Sequence, residues 1–309
     1  MAADAQVQTT EQPAVGTDAR TQLIWKLLLV AIALIWGASF LVMKDTLDSV
    51  PTFLLLACRF LIAALLLLGI FWRPISQNLN ARTIGAGVLM GIFEGLAYGL
   101  QTMGLVETTA GKSAFLTGVY CVMVPFISYF LIGEKLTRYN LGAAFLCLAG
   151  IAFVALDSLT VSMGDLLTLG GALFFALQIA IAAKAGRGLN VNACTFWMFL
   201  TVGVMCAATT AFAETMPSAS IVTPRLVAVL LFLAVICTCF NMLIQNQGLA
   251  RVPSSTGSLL LSLESPSGVF FSVLFGGEVL TGRLVFGFAL IFVSIILSET
   301  HFSFLRRSK

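Results

Sequence analysis

The chain has 309 residues, 59% of them hydrophobic and 10% charged, with a formal net charge of +3. A soluble domain carries about 25% charged residues and cannot hide this much apolar surface, so a water-soluble globular fold is excluded. The small positive charge is spread over the turns and leaves no patch for nucleic acid.

Residues 1–22 are polar and without hydrophobic periodicity, which reads as a short disordered cytoplasmic tail. The first apolar run is too long for a cleavable signal peptide and has no small-residue cleavage site behind it. Ten apolar runs follow, near 25–43, 53–72, 83–105, 112–132, 139–156, 165–184, 192–212, 225–248, 254–275 and 282–300. Each is long enough to cross a hydrocarbon core of about 30 Å. The turns carry breakers such as Asp48-Ser49-Val50-Pro51, Arg73-Pro74, Thr109-Ala110-Gly111 and Arg187-Gly188-Leu189-Asn190. Of the eight prolines, only Pro125 and Pro266 fall well inside runs, the fourth and the ninth. The seven cysteines all lie in apolar runs without ligand-like spacing and read as small packing residues. A basic stretch, 302–309, closes the chain.

With the amino terminus in the cytoplasm, the inside segments collect Arg20, Lys26, Arg73, Arg82, Lys135, Arg138, Lys184, Arg187, Arg251, Arg306, Arg307 and Lys309. The outside segments collect Lys44, Lys112, Arg225 and Arg283. This positive-inside bias places both termini in the cytoplasm and favours an even number of spans.

A polar frame is written twice, 144 positions apart. Gln101-x-x-Gly104-Leu105, a turn, a run with Pro125 and Gly133-Glu134-x-Leu136 return as Gln245-x-x-Gly248-Leu249, a turn, a run with Pro266 and Gly277-Glu278-x-Leu280. Ten spans divide into two sets of five, and an odd number per half inserts the second half upside down. The expected fold is therefore an all-α integral membrane protein of ten transmembrane helices in two inverted-topology repeats. Its site is expected near the bilayer midplane where the halves meet. A weaker echo at a slightly different offset lays Leu34–Phe40 over Leu173–Ile179.

The third run has two faces. Gly87, Gly91, Gly95 and Gly99 form a small-residue stripe for close helix packing. Glu94, Tyr98 and Gln101 share another face, which should line a polar cavity. Glu94 is an ionisable group at mid-span and a functional candidate by default. It can serve as counter-ion to a substrate ammonium, as a proton-coupling carboxylate, or as a packing residue paired with Arg59. Glu264 is the other mid-span carboxylate, falls opposite Tyr120 in the repeat, and has a helix-end hydrogen bond as its rival role. Trp36, Ser39, Gln178, Asn241 and Gln245 read as cavity lining. Arg59 either snorkels outward or pairs with an internal acid. Glu134 and Glu278 read as helix-terminal groups, with gating as the alternative. Glu94 and Tyr98 are not repeated, since Thr238 and Met242 stand at the matching positions, so selectivity is expected there.

Gly111-Lys112-Ser113 lacks the earlier glycine of a phosphate loop. The single histidine, His301, sits at the carboxy-terminal edge. With no metal-ligand cluster and no serine–histidine pair inside the membrane, neither an enzyme, a metal nor a cofactor is expected.

Trp36-Gly37-Ala38-Ser39-Phe40, Arg59-Phe60, Gln101-x-x-Gly104-Leu105 and Thr108 through Gly118 resemble the first half of an EamA-type transporter of the drug/metabolite transporter superfamily. Gly133-Glu134-Lys135-Leu136, Gly164-Asp165-Leu166-Leu167, Leu261-Ser262-Leu263-Glu264-Ser265 and Gly277-Glu278-Val279-Leu280-Thr281 continue it. The resemblance covers the chain after residue 25. It implies repeats at 23–158 and 159–301, and alternating access in a bacterial inner membrane. It also implies export, or less often uptake, of small metabolites such as amino acids. Glu264 falls on the family's usual carboxylate, whereas Glu94 departs from the family pattern. The expected activity is that of a secondary transporter of a small polar or amphipathic, amino-acid-like metabolite, with export as the expected direction and proton coupling as a hypothesis. It is expected to act as a monomer or homodimer. An uptake permease, or a channel or structural partner, is the alternative.

Overall fold

The computed structural model describes residues 18–155, 162–275, 277, 279 and 281–300. Residues 1–17, the boundary at 158/159, Glu278, His301 and the tail 302–309 lie outside the described residues. Among the described residues all regular structure is helical. The long helices are α1 (Ala19–Leu47), α2 (Thr52–Ile70), α3 (Ala81–Glu107), α4 (Ala110–Ile132), α5 (Arg138–Ala155), α6 (Met163–Gly186), α7 (Val191–Ala213), α8 (Pro224–Leu249), α9 (Ser254–Phe275) and α10 (Gly282–Thr300). Eight of them, α1–α4 and α6–α9, are long and apolar enough to cross a membrane. Within α10 the apolar stretch Gly282–Ser294 is shorter.

The turns supply the starts. Asp18, Asn80, Thr109, Asn190 and Thr223 each accept a hydrogen bond from the first turn of the helix they precede, and Ser162 forms a capping box with Asp165. The Asp18 cap to Thr21 N (2.9 Å) starts α1 at Ala19, inside the stretch expected to be disordered. At the far end of α4, Gly133 adopts φ +70°. Its N–H and that of Glu134 then reach back to Tyr129 O and Ser128 O, a turn that favours glycine. Gly277 has φ +74°.

These features keep a register. The starts of α1 and α6, of α4 and α9, and of α5 and α10 are each 144 residues apart, as are Gly133 and Gly277. The starts of α2 and α7 are 139 apart, and α7 is 23 residues long against 19 for α2. The offset falls from 144 to 139 inside α1, which is 29 residues long against 24 for α6, and most of it is restored inside α7; the echo around Trp36 lies between the two changes.

Both proline-bearing helices are broken. α4 is interrupted at Gly118-Val119 and α9 at Ser262-Leu263, again 144 residues apart. Pro125 and Pro266 are 141 apart, so the breaks keep the register and the prolines do not. Around Gly118 the backbone tightens to i→i−3 bonds (Val119 N to Leu116 O, Cys121 N to Gly118 O). Pro125 lacks the N–H that would bond Cys121 O, so strict helix is unsupported there. The segment before each break packs on the segment after the break of the other helix.

The glycine stripe serves two neighbours. A Cβ on Gly87 would sit 2.6 Å from Cys194 O, and one on Gly91 2.8 Å from Met198 O, both on α7. Gly95 leaves ordinary room, and Gly99 faces Phe53 on α2. A second seam joins α3 to α6, where Gly104 and Gly164 lie against each other's carbonyls. In lipid such close backbone approach is a main source of helix association. α3 thereby lies between α6 and α7, α1 lies along α9, and α5 pairs with α10.

Candidate functional site

These contacts enclose a buried cavity. α1 contributes Trp36, Ser39, Phe40 and Met43; α2 contributes Arg59; α3 contributes Glu94, Tyr98 and Gln101. Thr117 and Tyr120 come from α4, Phe175, Gln178 and Ile179 from α6, Gln245 from α8 and Glu264 from α9. Nine of the ten residues singled out as substrate-contacting therefore share one cavity. The tenth, Asn241, does not line it: it is buried and donates to Ile32 O of α1 at 3.5 Å. The weaker echo has a counterpart here. Trp36, Ser39 and Phe40 line the cavity, and so do their 139-offset partners Phe175, Gln178 and Ile179.

Positions are set by hydrogen bonds within and between the sequence halves. Residues Phe232–Phe240 of α8 form a π-helical stretch, a form often found at functional sites. Trp36 Nε1 donates to Cys237 O in this stretch at 2.7 Å. Arg59 Nε donates to Thr238 Oγ1 at 3.1 Å, and Thr238 in turn donates to Leu233 O. Thr238 is the position that matches Glu94 in the repeat. Gln245 Nε2 donates to Gln178 Oε1 (3.2 Å), Gln178 donates to Asn246, and Asn246 to Thr195 Oγ1. Gln101 donates to Thr117 Oγ1 at 2.9 Å. Tyr98 stands edge-on to Phe60 and Phe175, with the Arg59 guanidinium 5.3 Å from its ring centre.

The expected pairing of Arg59 with an internal acid is not the geometry found. Arg59 is buried, so it does not snorkel, and among the described residues it forms no ion pair. Its contacts are Thr238, Met43 Sδ and the face of Tyr98. Glu94 is 1% exposed, and its Oε2 has no hydrogen-bond partner. Glu94 feels both the like charge of Glu264 and the opposite charge of Arg59. Tyr120 and Glu264 line the same cavity. The cavity thus holds two carboxylates against one guanidinium, with aromatic rings around them. Its free volume is about 30 Å³, room for water but not for an organic solute. Glu264 opens the segment after the break in α9, and Ser265 beside it donates to Ala114 O and abuts Gly118 at the break in α4.

Ionic contacts join α4 to α6 at both ends. Near their starts, Lys112 Nζ meets Asp165 Oδ2 at 2.6 Å. Lys112 is thereby committed to a carboxylate. Near their ends, Glu134 accepts from Arg187 (3.0 Å) and from Ser254 Oγ (2.6 Å) and N (3.3 Å) at the start of α9. Among the described residues, no three or more His, Cys, Asp or Glu side chains are grouped to hold a metal. Sequence reading missed Phe40, Met43, Thr117, Phe175 and Ile179; the weaker echo contains Phe40, Phe175 and Ile179, and the signal for Met43 and Thr117 was their place near polar lining residues. It also missed Cys237 as a backbone acceptor, which left no signal.

The EamA-like transporter family matches residues 23–156 and again 162–300. An uncharacterized transporter of Archaeoglobus fulgidus is 30% identical over 282 residues, covering 91% of this chain and 88% of the relative. The uncharacterized transporter YoaV of Bacillus subtilis is 25% identical over 282 residues, covering 89% of this chain and 96% of YoaV. A solved crystal structure superposes with a TM-score of 0.72 at 16% identity, over 89% of this chain and 96% of that one. At that identity the likeness concerns the fold alone.

Proposed function

The chain belongs to the EamA-like transporter family and is a multi-pass membrane transporter, and from this we propose that it is a secondary transporter that works by alternating access. The observation that carries the reading is the cavity itself. Seven helices from both sequence halves bring polar and aromatic side chains to one buried place, which packing alone does not require. The recurrence of helix starts and breaks at 144 residues supports ten spans in two inverted five-helix repeats. In that arrangement the crossing of the broken helices lies near the midplane, and the two halves rock about it. We take both termini as cytoplasmic, from the charge bias, and the membrane as a bacterial inner membrane.

The cargo is a small polar or amphipathic, amino-acid-like metabolite. The unpartnered Oε2 of Glu94 supports an ammonium partner, and Trp36, Tyr98 and Phe175 offer apolar surface beside it. Export is the direction that the family resemblance favours. Coupling to protons through Glu94 or Glu264 follows from two carboxylates facing a single guanidinium.

The test is counterflow of labelled amino acids into proteoliposomes, with and without an imposed pH gradient. Saturable counterflow supports a carrier, and linear flux that no substrate saturates would replace it with a channel. Transport that ignores the gradient and survives both Glu94→Gln and Glu264→Gln removes proton coupling.

A further inference from the structure

Away from the central cavity, an open pocket of about 460 Å³ lies where the turn between α6 and α7 meets the end of α8. Its polar side chains are Arg187, Asn190, Asn192, Gln247 and Arg251, with no carboxylate among its lining residues. Hydrogen bonds engage each of the side-chain oxygens. Arg251 Nη1 donates both to the Gln247 side-chain oxygen (2.5 Å) and to the Gln247 carbonyl (2.6 Å). A guanidinium only donates, which fixes the orientation of that amide. Gln247 Nε2 must then point away from Arg251, and it donates to Asn192 Oδ1 at 2.6 Å. This turns Asn192 Nδ2 outward. Asn190 Oδ1 is taken by Ala193 N at 3.1 Å, which leaves its Nδ2 as a donor too.

The arginines also keep capacity. Arg187 gives Nη1 to Ile132 O and Nη2 to Glu134, and retains Nε. Arg251 stacks on Trp25 at 4.7 Å and retains Nε and Nη2. Among the described residues, the side-chain polar atoms of this pocket left without a hydrogen bond are therefore all N–H donors, two sets of them on cations. Asn190, Asn192, Gln247 and Arg251 are half-buried and Arg187 is exposed, so the donors are held by their hydrogen bonds yet accessible.

We propose that this pocket binds a phosphate-class anion, a phosphodiester or phosphomonoester whose several oxygens accept from the two guanidiniums and the outward amides. Such charge-assisted bonds are the strong ones, and guanidinium matches the oxyanion geometry. Two sources carry this chemistry: the headgroup of an anionic phospholipid, favoured by the neighbouring indole, and a soluble phosphate compound. The site is independent of which solute crosses the membrane. Because Arg187 also holds Glu134, a bound anion stands directly beside the contact that ties α4 to the start of α9.

The test uses the full chain in nanodiscs of phosphatidylcholine, with or without phosphatidylglycerol. Native mass spectrometry counts retained phosphatidylglycerol, and calorimetry in phosphatidylcholine discs titrates inorganic pyrophosphate. One of these ligands should bind, and Arg251→Gln and Asn192→Asp should each weaken it by about tenfold, the loss of one charge-assisted bond or the gain of a repelling carboxylate. Retained phosphatidylglycerol without pyrophosphate binding assigns the lipid headgroup, and the converse assigns the soluble ligand. Binding of neither ligand, or equal binding by the wild type and a variant that melts normally, overturns the proposal. The two variants lie on different elements, so misfolding of one leaves the other to decide.

Discussion

Replacing Glu94 by glutamine separates a binding role from a packing role. Oε2 has no hydrogen-bond partner among the described residues, so the substitution unmakes no bond at that atom. Tm should stay within about 4 °C of wild type, the shift that 1 kcal/mol gives in a large domain. A substrate ammonium seated on Glu94 would lose a charge-assisted hydrogen bond of about 1.5–3 kcal/mol, a ten- to hundredfold loss of affinity. A carboxylate that holds the fold together through a buried pair gives the reverse pattern. Losing it costs about 3–5 kcal/mol and should lower Tm by roughly 10 °C. The assay is thermal unfolding of purified protein against a panel of amino acids and amines, followed by counterflow with whichever ligand stabilises. A variant that melts far below wild type while its ligand response is intact would refute the reasoning.

Gly87→Leu should destabilise by about 1–3 kcal/mol or more, because its Cβ meets a backbone carbonyl on α7 that cannot step aside. Gly95→Ala should be nearly neutral in the same unfolding assay, since its nearest neighbour is the flexible end of Met205. Asp165→Asn and Glu134→Gln should loosen opposite ends of α4 and α6. Thiol labelling of single cysteines placed at each end would report this, and labelling that rises equally at both ends in both variants would sink it. Trp36→Phe keeps an aromatic ring, though a smaller one, and removes the donor to Cys237 O; it should cost at least about 1 kcal/mol of stability and slow transport.

Much of this site was legible because the membrane makes polar residues conspicuous. Glu94, Tyr98 and Gln101 are costly in lipid, so their shared helix face had to point inward, and it does. Asn241 obeys the same logic but is satisfied by a neighbouring helix carbonyl, an outcome that spacing along one helix does not reveal. Arg59 was seen as needing a partner. Its partners proved to be a hydroxyl, a thioether and a ring, because the π-helical stretch of α8 brings Thr238 to it. Nothing in Phe232–Phe240 marks that stretch, which depends on contacts with α1 and α2 from the other half. The breaks at Gly118 and Ser262 were signalled only indirectly, by prolines that turned out to lie further along.

The breaks have a mechanical consequence. Each leaves an eight-residue arm, Ala110–Thr117 in α4 and Ser254–Leu261 in α9, about 12 Å long. Each arm carries one half of an ionic or hydrogen-bonded fastening: Lys112 on the first holds Asp165, and Ser254 on the second holds Glu134. A tilt of about 20° about the break moves the tip of a 12 Å arm by about 4 Å, enough to undo a contact of hydrogen-bond length. On the proposed alternating-access reading, these two arms are the segments expected to move first, each about its own break.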